Sequence, residues 1–202
     1  MRGLRFVPAI LGVAALSLGA AEPPATSEGY AYATYRGMGD RLTLLVDSYP
    51  AAMHARDSYV PLAVAIGLSG PGSSVRVTPE SFTLLDESGR AYRAVPFEEI
   101  ARNYPKRQFD ASLLRSHPMV VGNQFDTSLA VRGSFYPTLV GRGLRIDQVE
   151  LGPFTWFHSL LYFPLPEGGL HGVLTLRISG PGLESPVDVR FQVPRVLRER
   201  TS

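Results

Sequence analysis

The sequence predicts an all-β sandwich carrying a short helical insertion at about residues 97–116. Three patterns carry that expectation. Short runs alternate apolar and polar residues with a period of two, as in Val187, Val189, Phe191 and Val193. Clusters of Gly, Pro, Ser and Asp separate those runs at turn spacing. Only one stretch, Phe97, Ile100, Ala101 and Tyr104 after Pro96, followed by Asp110 opening Ala111–Arg115, places its apolar residues at helical spacing.

The elements follow in order. Arg2 and Arg5 precede the uncharged run Phe6–Ala21, which ends in Gly19-Ala20-Ala21, so residues 1–21 read as a cleaved export signal. The run is short for a span and is interrupted by Pro8, and no cysteine follows it to take a lipid anchor. Residues 22–28 are polar and Pro-rich and read as a disordered lead. A single domain over 29–194 follows, with an insertion at 97–140 and a frayed tail at 195–202. Tyr30–Tyr35 and Leu42–Val46 flank Gly37–Asp40 as a first hairpin. Val60–Leu68 is a nearly continuous apolar strand, as expected where both faces are covered. Ser69-Gly-Pro-Gly72 turns the chain toward Val75–Val77, then come Phe82–Leu85, the turn Asp86–Gly89, and Tyr92. Pro118–Val140 is a long excursion with a strand around Ser128–Arg132, and such excursions carry specificity on β scaffolds. Val173–Ile178, the turn Ser179–Gly182 and Val187–Val193 form a closing hairpin. The two Ser-Gly-Pro-Gly turns share no flanking offset and are read as similar turns, not as a repeat.

Charge and cysteine content narrow the partners. Removing Arg2 and Arg5 turns 20 Lys+Arg against 18 Asp+Glu into 18 against 18, so the basic pI of about 9.0 does not point to nucleic acid. Arg102–Arg107 interleaves bases and aromatics, but at the end of a short helix it reads as cations near a negative terminus. An exported chain without cysteine has no disulfide staples, so about 180 mature residues must close on burial alone. No later stretch is apolar enough for a transmembrane helix in the mature chain.

The stretch Pro61–Ile66, then Val77-Thr-Pro-Glu-Ser-Phe-Thr-Leu-Leu-Asp-Glu-Ser-Gly89 with Tyr92, and the late Leu161-Tyr162-Phe163-Pro164, resembles the immunoglobulin-like domains of uncharacterised bacterial exported proteins. The likeness covers roughly residues 60–95 and 150–193 and leaves Phe97–Val140 outside it. It implies an immunoglobulin-like β-sandwich with a binding or accessory role in the cell envelope, and it supplies no catalytic residues.

The sharper chemistries find little footing. No Gly-x-Ser-x-Gly occurs, and the four histidines sit in unrelated contexts, so a hydrolase is only a further alternative. Asp86-Glu87 and Glu98-Glu99 are sequence neighbours that cannot face each other across a sugar. The histidines lack zinc spacing. Met53-His54 and His117-Pro-Met119 offer thioether and imidazole ligands, which suit a periplasmic copper(I) carrier as the alternative function. The aromatic segment Pro153–Pro166 is expected to pack as core, although Trp156 with Tyr162 could stack on sugar rings or hold a proline-rich partner. The reading reached from the sequence is an exported, periplasmic or extracellular, non-catalytic module that binds a protein or glycan, with no cofactor. Its recognition residues are expected among Trp156, Tyr162, Tyr104, Arg107, Phe135 and Tyr136.

Overall fold

A computed structural model of the chain describes residues 32–37, 42–116, 125, 129–138 and 144–194. The expected signal, lead and tail, and with them His117 and Met119, lie outside the described residues. The strands are β1 (Tyr32–Gly37), β2 (Leu42–Asp47), β3 (Tyr59–Leu68), β4 (Val75–Val77), β5 (Phe82–Leu85), β6 (Ala91–Arg93), β7 (Leu129–Ala130), β8 (Val149–Leu151), β9 (Thr155–Pro164), β10 (Leu174–Ile178) and β11 (Val187–Phe191). The helices are α1 (Tyr49–Met53), α2 (Phe97–Asn103) and α3 (Arg107–Ser116). One sheet has the order β1-β2-β3-β9-β7, a second β11-β10-β5-β6, and β4 pairs with β8 alone. The architecture is mostly β and sandwich-like, with α2 and α3 where the sequence expects helices; α1 is a helix the sequence patterns do not mark.

β3 and β9 pair antiparallel over ten residues, from Tyr59↔Pro164 to Leu68↔Thr155. Opposed residues of an antiparallel pair project from one face. On one face, Pro61, Ala63, Ala65 and Gly67 of β3 therefore lie beside Tyr162, Leu160, His158 and Trp156 of β9. Small residues on one strand and large ones on the next leave a trough, and α1 lies over β3 with Ala51 and Ala52 buried. On the other face, Val60, Leu62, Val64, Ile66 and Leu68 meet Phe157, Leu161 and Phe163, and this side joins Phe82, Leu84, Leu174, Leu176 and Val189 of the second sheet in one buried cluster. β3 is apolar throughout because both of its faces are covered.

Two prolines sit inside this long pair, and the hydrogen-bond phase explains why. The Leu165 N–H donates to the Ser58 carbonyl, whereas the Tyr162 carbonyl accepts from the Val95 N–H. Odd-numbered residues of β9 thus bond to β3 and even-numbered ones point outward. Pro164 and Pro61 both occupy non-bonded pairs, so neither missing N–H breaks a rung between the two strands. On its other side, Pro61 lies beyond the last β2–β3 pair, Asp47↔Ala63.

The sheets are tied at their margins. The Ser48 hydroxyl donates to the Gln192 carbonyl, and Val95, just past β6, reaches β9 as above. The second Ser-Gly-Pro-Gly turn packs on β4, where the Arg76 N–H donates to the Pro181 carbonyl. Gly182 there has φ of +90°, and an added Cβ would collide with the Ser74 carbonyl. In the turn before β6, Asp86 accepts from the Ser88 hydroxyl, the Tyr92 hydroxyl and the Ser88 and Arg90 N–H groups. These donors, Ser88 foremost, hold its carboxyl below the ordinary range. Asp86 organises a turn, in keeping with its sequence context.

Gly67 opposes Trp156, and a Cβ there would strike the Phe125 ring and come within 2.7 Å of the Trp156 Cβ. The glycine makes room for the Phe125 ring, which stacks on Trp156 at a centroid separation of 5.5 Å and an interplanar angle of 9°. Gly67→Ala should therefore destabilise the chain by about 1–3 kcal/mol through overpacking, while Gly152→Ala, with nothing near its added methyl, should cost far less. Urea denaturation of the two variants against the parent checks this; equal midpoints would refute it.

Candidate binding site under the helical insertion

The trough on the β3–β9 face is roofed by α1, α2 and α3, and a polar chain runs through the roof. His54, at the end of α1, places Nε2 2.7 Å from Asp110 Oδ1 of α3 and Nδ1 2.9 Å from Asp57 Oδ2. The Tyr162 hydroxyl of β9 donates to Asp110 Oδ2 at 3.0 Å, and the Lys106 ammonium, at the surface, reaches both Asp57 oxygens at 2.8 and 2.7 Å. Asp110 is fully buried and His54 nearly so. The chain therefore joins α1, α3 and the sheet through one buried carboxylate.

Aromatic rings fill the space around it. Tyr104 meets Tyr162 edge-on at 5.4 Å, Tyr59 at 5.7 Å and His54 at 6.2 Å, and Phe109 meets His54 at 5.5 Å. Tyr136 meets Tyr162 at 5.1 Å and donates its hydroxyl to the Val95 carbonyl. Burial raises the phenols of Tyr104, Tyr136 and Tyr162 well above their ordinary value, and the Asp110 carboxylate adds to this at Tyr104 and Tyr162.

A cavity of about 350 Å³ opens on the same face beyond α3. Its floor is His158 and Leu160 of β9, one wall is Ala111 and Leu114 of α3, and the other is the segment Gly133–Thr138, with Leu144 at the rim. That second wall is clamped. The Ser134 N–H donates to the Leu144 carbonyl and the Ile146 N–H to the Ser134 carbonyl. Ser159 donates its hydroxyl hydrogen to the Leu160 carbonyl and accepts from the Phe135 N–H, so Ser134, 3.1 Å away, is the donor between the two hydroxyls. Ser134 also accepts from the Tyr136 N–H. His158 stacks on Trp156 at 5.4 Å; the residue is still open to solvent on one side, and the packing around its ring lowers the imidazole below its ordinary value. Among the described residues, neither the His158 ring nor the Thr138 hydroxyl has a hydrogen-bond partner.

The sequence-derived candidates converge here, mostly as interior. Tyr162, Tyr136, Phe135 and Tyr104 are all buried, and Phe135 packs edge-on against Phe157 at 4.8 Å on the opposite face. Their side chains present no exposed recognition surface, because the helices and the 133–138 segment cover the sheet; of these four only Tyr136 lines the cavity. Arg107 is half-buried and braces the roof, donating to the Ala101 and Pro137 carbonyls at 3.3 and 3.4 Å, where a surface cation is expected from sequence. Trp156 is half-buried between Phe125 and His158. His54 spends both nitrogens on carboxylates, so a copper ion shared with Met53 would have to displace Asp110 or Asp57. Among the described residues no group of three His, Cys, Asp or Glu is placed to hold a metal ion, and no helix is long and apolar enough to cross a membrane. Glu98 pairs with Arg145 and Glu99 with Tyr59, as solvated braces. Sequence reasoning passed over Asp110, taken only as a helix start, and over His158 and Thr138.

No protein-family model matches the chain, nor does any curated protein or solved structure.

Two outcomes are expected. His54→Leu should cost about 3–5 kcal/mol by leaving Asp110 buried without its imidazole partner, and adding Asp110→Leu should recover part of that loss; thermal and urea unfolding of the single and double variants measure it. For the three buried phenols, folding raises the values above about 10, the ordinary one. Their neutral forms therefore contribute stability that is complete below about pH 10 and is lost as the pH climbs through the folded values. Alkaline titration of phenolate absorbance should count at least three fewer groups in the folded chain than the nine tyrosines seen in denaturant.

Proposed function

We propose that the chain is an exported, non-catalytic binding or accessory module of the cell envelope, an immunoglobulin-like sandwich that recognises its partner, a protein or a glycan, through the cavity between α3 and β9. The cavity is the observation that carries this reading. Its volume of about 350 Å³ falls within the range of ligand sites, which run roughly from 300 to 1,000 Å³ and mix an apolar lining with a few placed polar groups. The floor belongs to the ten-residue β3–β9 pair, and the wall is fixed by the Ser134 and Ser159 hydroxyls. A site on such a frame holds its shape before the ligand arrives, which lowers the ordering cost of binding. The pattern of residues 1–21 that reads as an export signal, and the likeness to exported immunoglobulin-like domains, support a place outside the cytoplasm.

A photo-crosslinking residue at Leu144, on the exposed rim, tests the proposal in the native envelope. It should give a discrete adduct, while the same residue at exposed Arg190 on β11 should not. Equal labelling at both positions, or none at Leu144, would count against the cavity as the recognition site.

A further inference from the structure

The chemistry of the cavity wall selects among ligands, and the inference drawn from it rests on the binding reading above. We infer that the cavity takes an uncharged sugar ring, a neutral hexose unit of a glycan, held between the apolar side of α3 and the hydroxyl-bearing segment 134–138.

Four observations lead there. First, among the described residues no Lys, Arg, Asp or Glu lines the cavity, so a carboxylate, phosphate or ammonium placed against these residues would lose water without gaining a counter-charge from them. Second, a wholly apolar occupant would bury the Thr138 hydroxyl and the His158 ring nitrogens without partners, at a cost typical of unsatisfied polar groups. The polar groups left open are a hydroxyl, one N–H, one ring-nitrogen lone pair and the second lone pair of Ser134, a mixed set of donors and acceptors. Ligand hydroxyls, each able to donate and accept, answer such a set.

Third, a peptide strand cannot add to the sheet here. Along the outer edge of β9, β7 fills the Thr155–Trp156 end and Val95 the Tyr162 end, and between them the Leu160 carbonyl already accepts from the Ser159 hydroxyl. Fourth, the two walls differ in kind. Ala111 and Leu114 on one side are aliphatic, and Ser134 and Thr138 on the other carry hydroxyls. A pyranose has that same division, with a face of C–H groups and a rim of hydroxyls. The cavity size suits one ring with part of its neighbour, a unit at the end or side of a chain that continues past Leu144 into solvent.

The experiment uses the mature chain, from residue 22, labelled with nitrogen-15. Methyl glucoside and N-acetylglucosamine are the neutral probes; glucuronic acid and glucosamine at pH 7 are the charged ones. A neutral probe should move the amide signals of Ala111, Gly133 and Leu160 saturably, and the charged probes should bind at least tenfold more weakly. Thr138→Val and His158→Phe should each weaken the neutral probe about tenfold, the loss expected for one hydrogen bond to the ligand. Leu114→Trp, which fills the cavity, should abolish binding; a thermal transition kept within a few degrees shows that these variants fold. Shifts that avoid the cavity amides, no shift with either neutral probe, or equal binding of glucuronic acid would overturn the inference. The sugar assignment and the binding reading fail separately. An adduct to an envelope protein from Leu144, with no response to the sugars, sinks the sugar and leaves the module a binder. Silence in both experiments sinks both.

Discussion

Ten consecutive residue pairs join β3 to β9, and each other feature of the molecule is placed by which side of that ribbon it falls on. The large side chains of β3 and the odd-numbered ones of β9 face the second sheet and close the core. The small side chains of β3 and the even-numbered aromatics of β9 face the helices. Because side chains alternate strictly along a strand, a slip of one residue would exchange the two sets and bring Trp156 and Tyr162 into the space between the sheets. Covering a second face adds buried apolar area to a chain that has no covalent cross-link, and that area is where its stability must come from.

The roof over the second face is secured differently from the core. Asp110 is a buried carboxylate that Tyr162 and His54 serve from opposite sides, and Asp57 passes the other end of His54 out to Lys106. Such an arrangement is weak evidence for stability, since desolvating the charges offsets much of their attraction. Its effect is directional: α1 and α3, neither long enough to stand alone, dock in the register that brings His54 and Tyr162 onto Asp110. With the roof fixed, the space between α3 and β9 has a defined width, and that width is the cavity.

The sheet architecture was legible because period-two alternation and turn residues are local signals; β5, the closing hairpin and the two insertion helices fall where those signals stand. The site was less so. Tyr104, Tyr136 and Tyr162 draw attention as aromatics, but a sequence does not say whether a ring meets solvent or another ring, and here they meet one another. Asp110 looks like a helix start, and only the fold brings it beneath His54, more than fifty positions earlier. One usable signal was overlooked. Within the apolar run of β3, Pro61, Ala63, Ala65 and Gly67 are all small on one face, and a strand with a small-residue face invites a close-lying neighbour, in this molecule α1 and the Phe125 ring. β4 pairing with β8 depends on a partner more than seventy residues away, which no local pattern reveals.

The position of Trp156 has a practical side. It is the only tryptophan in the chain, pressed between Phe125 and His158, and the far side of that imidazole forms the cavity floor. An indole so placed is an intrinsic optical gauge: its emission responds to whatever reorients or protonates the neighbouring ring. Occupancy of the cavity can thus be followed in the unmodified protein, with no dye attached and no residue replaced.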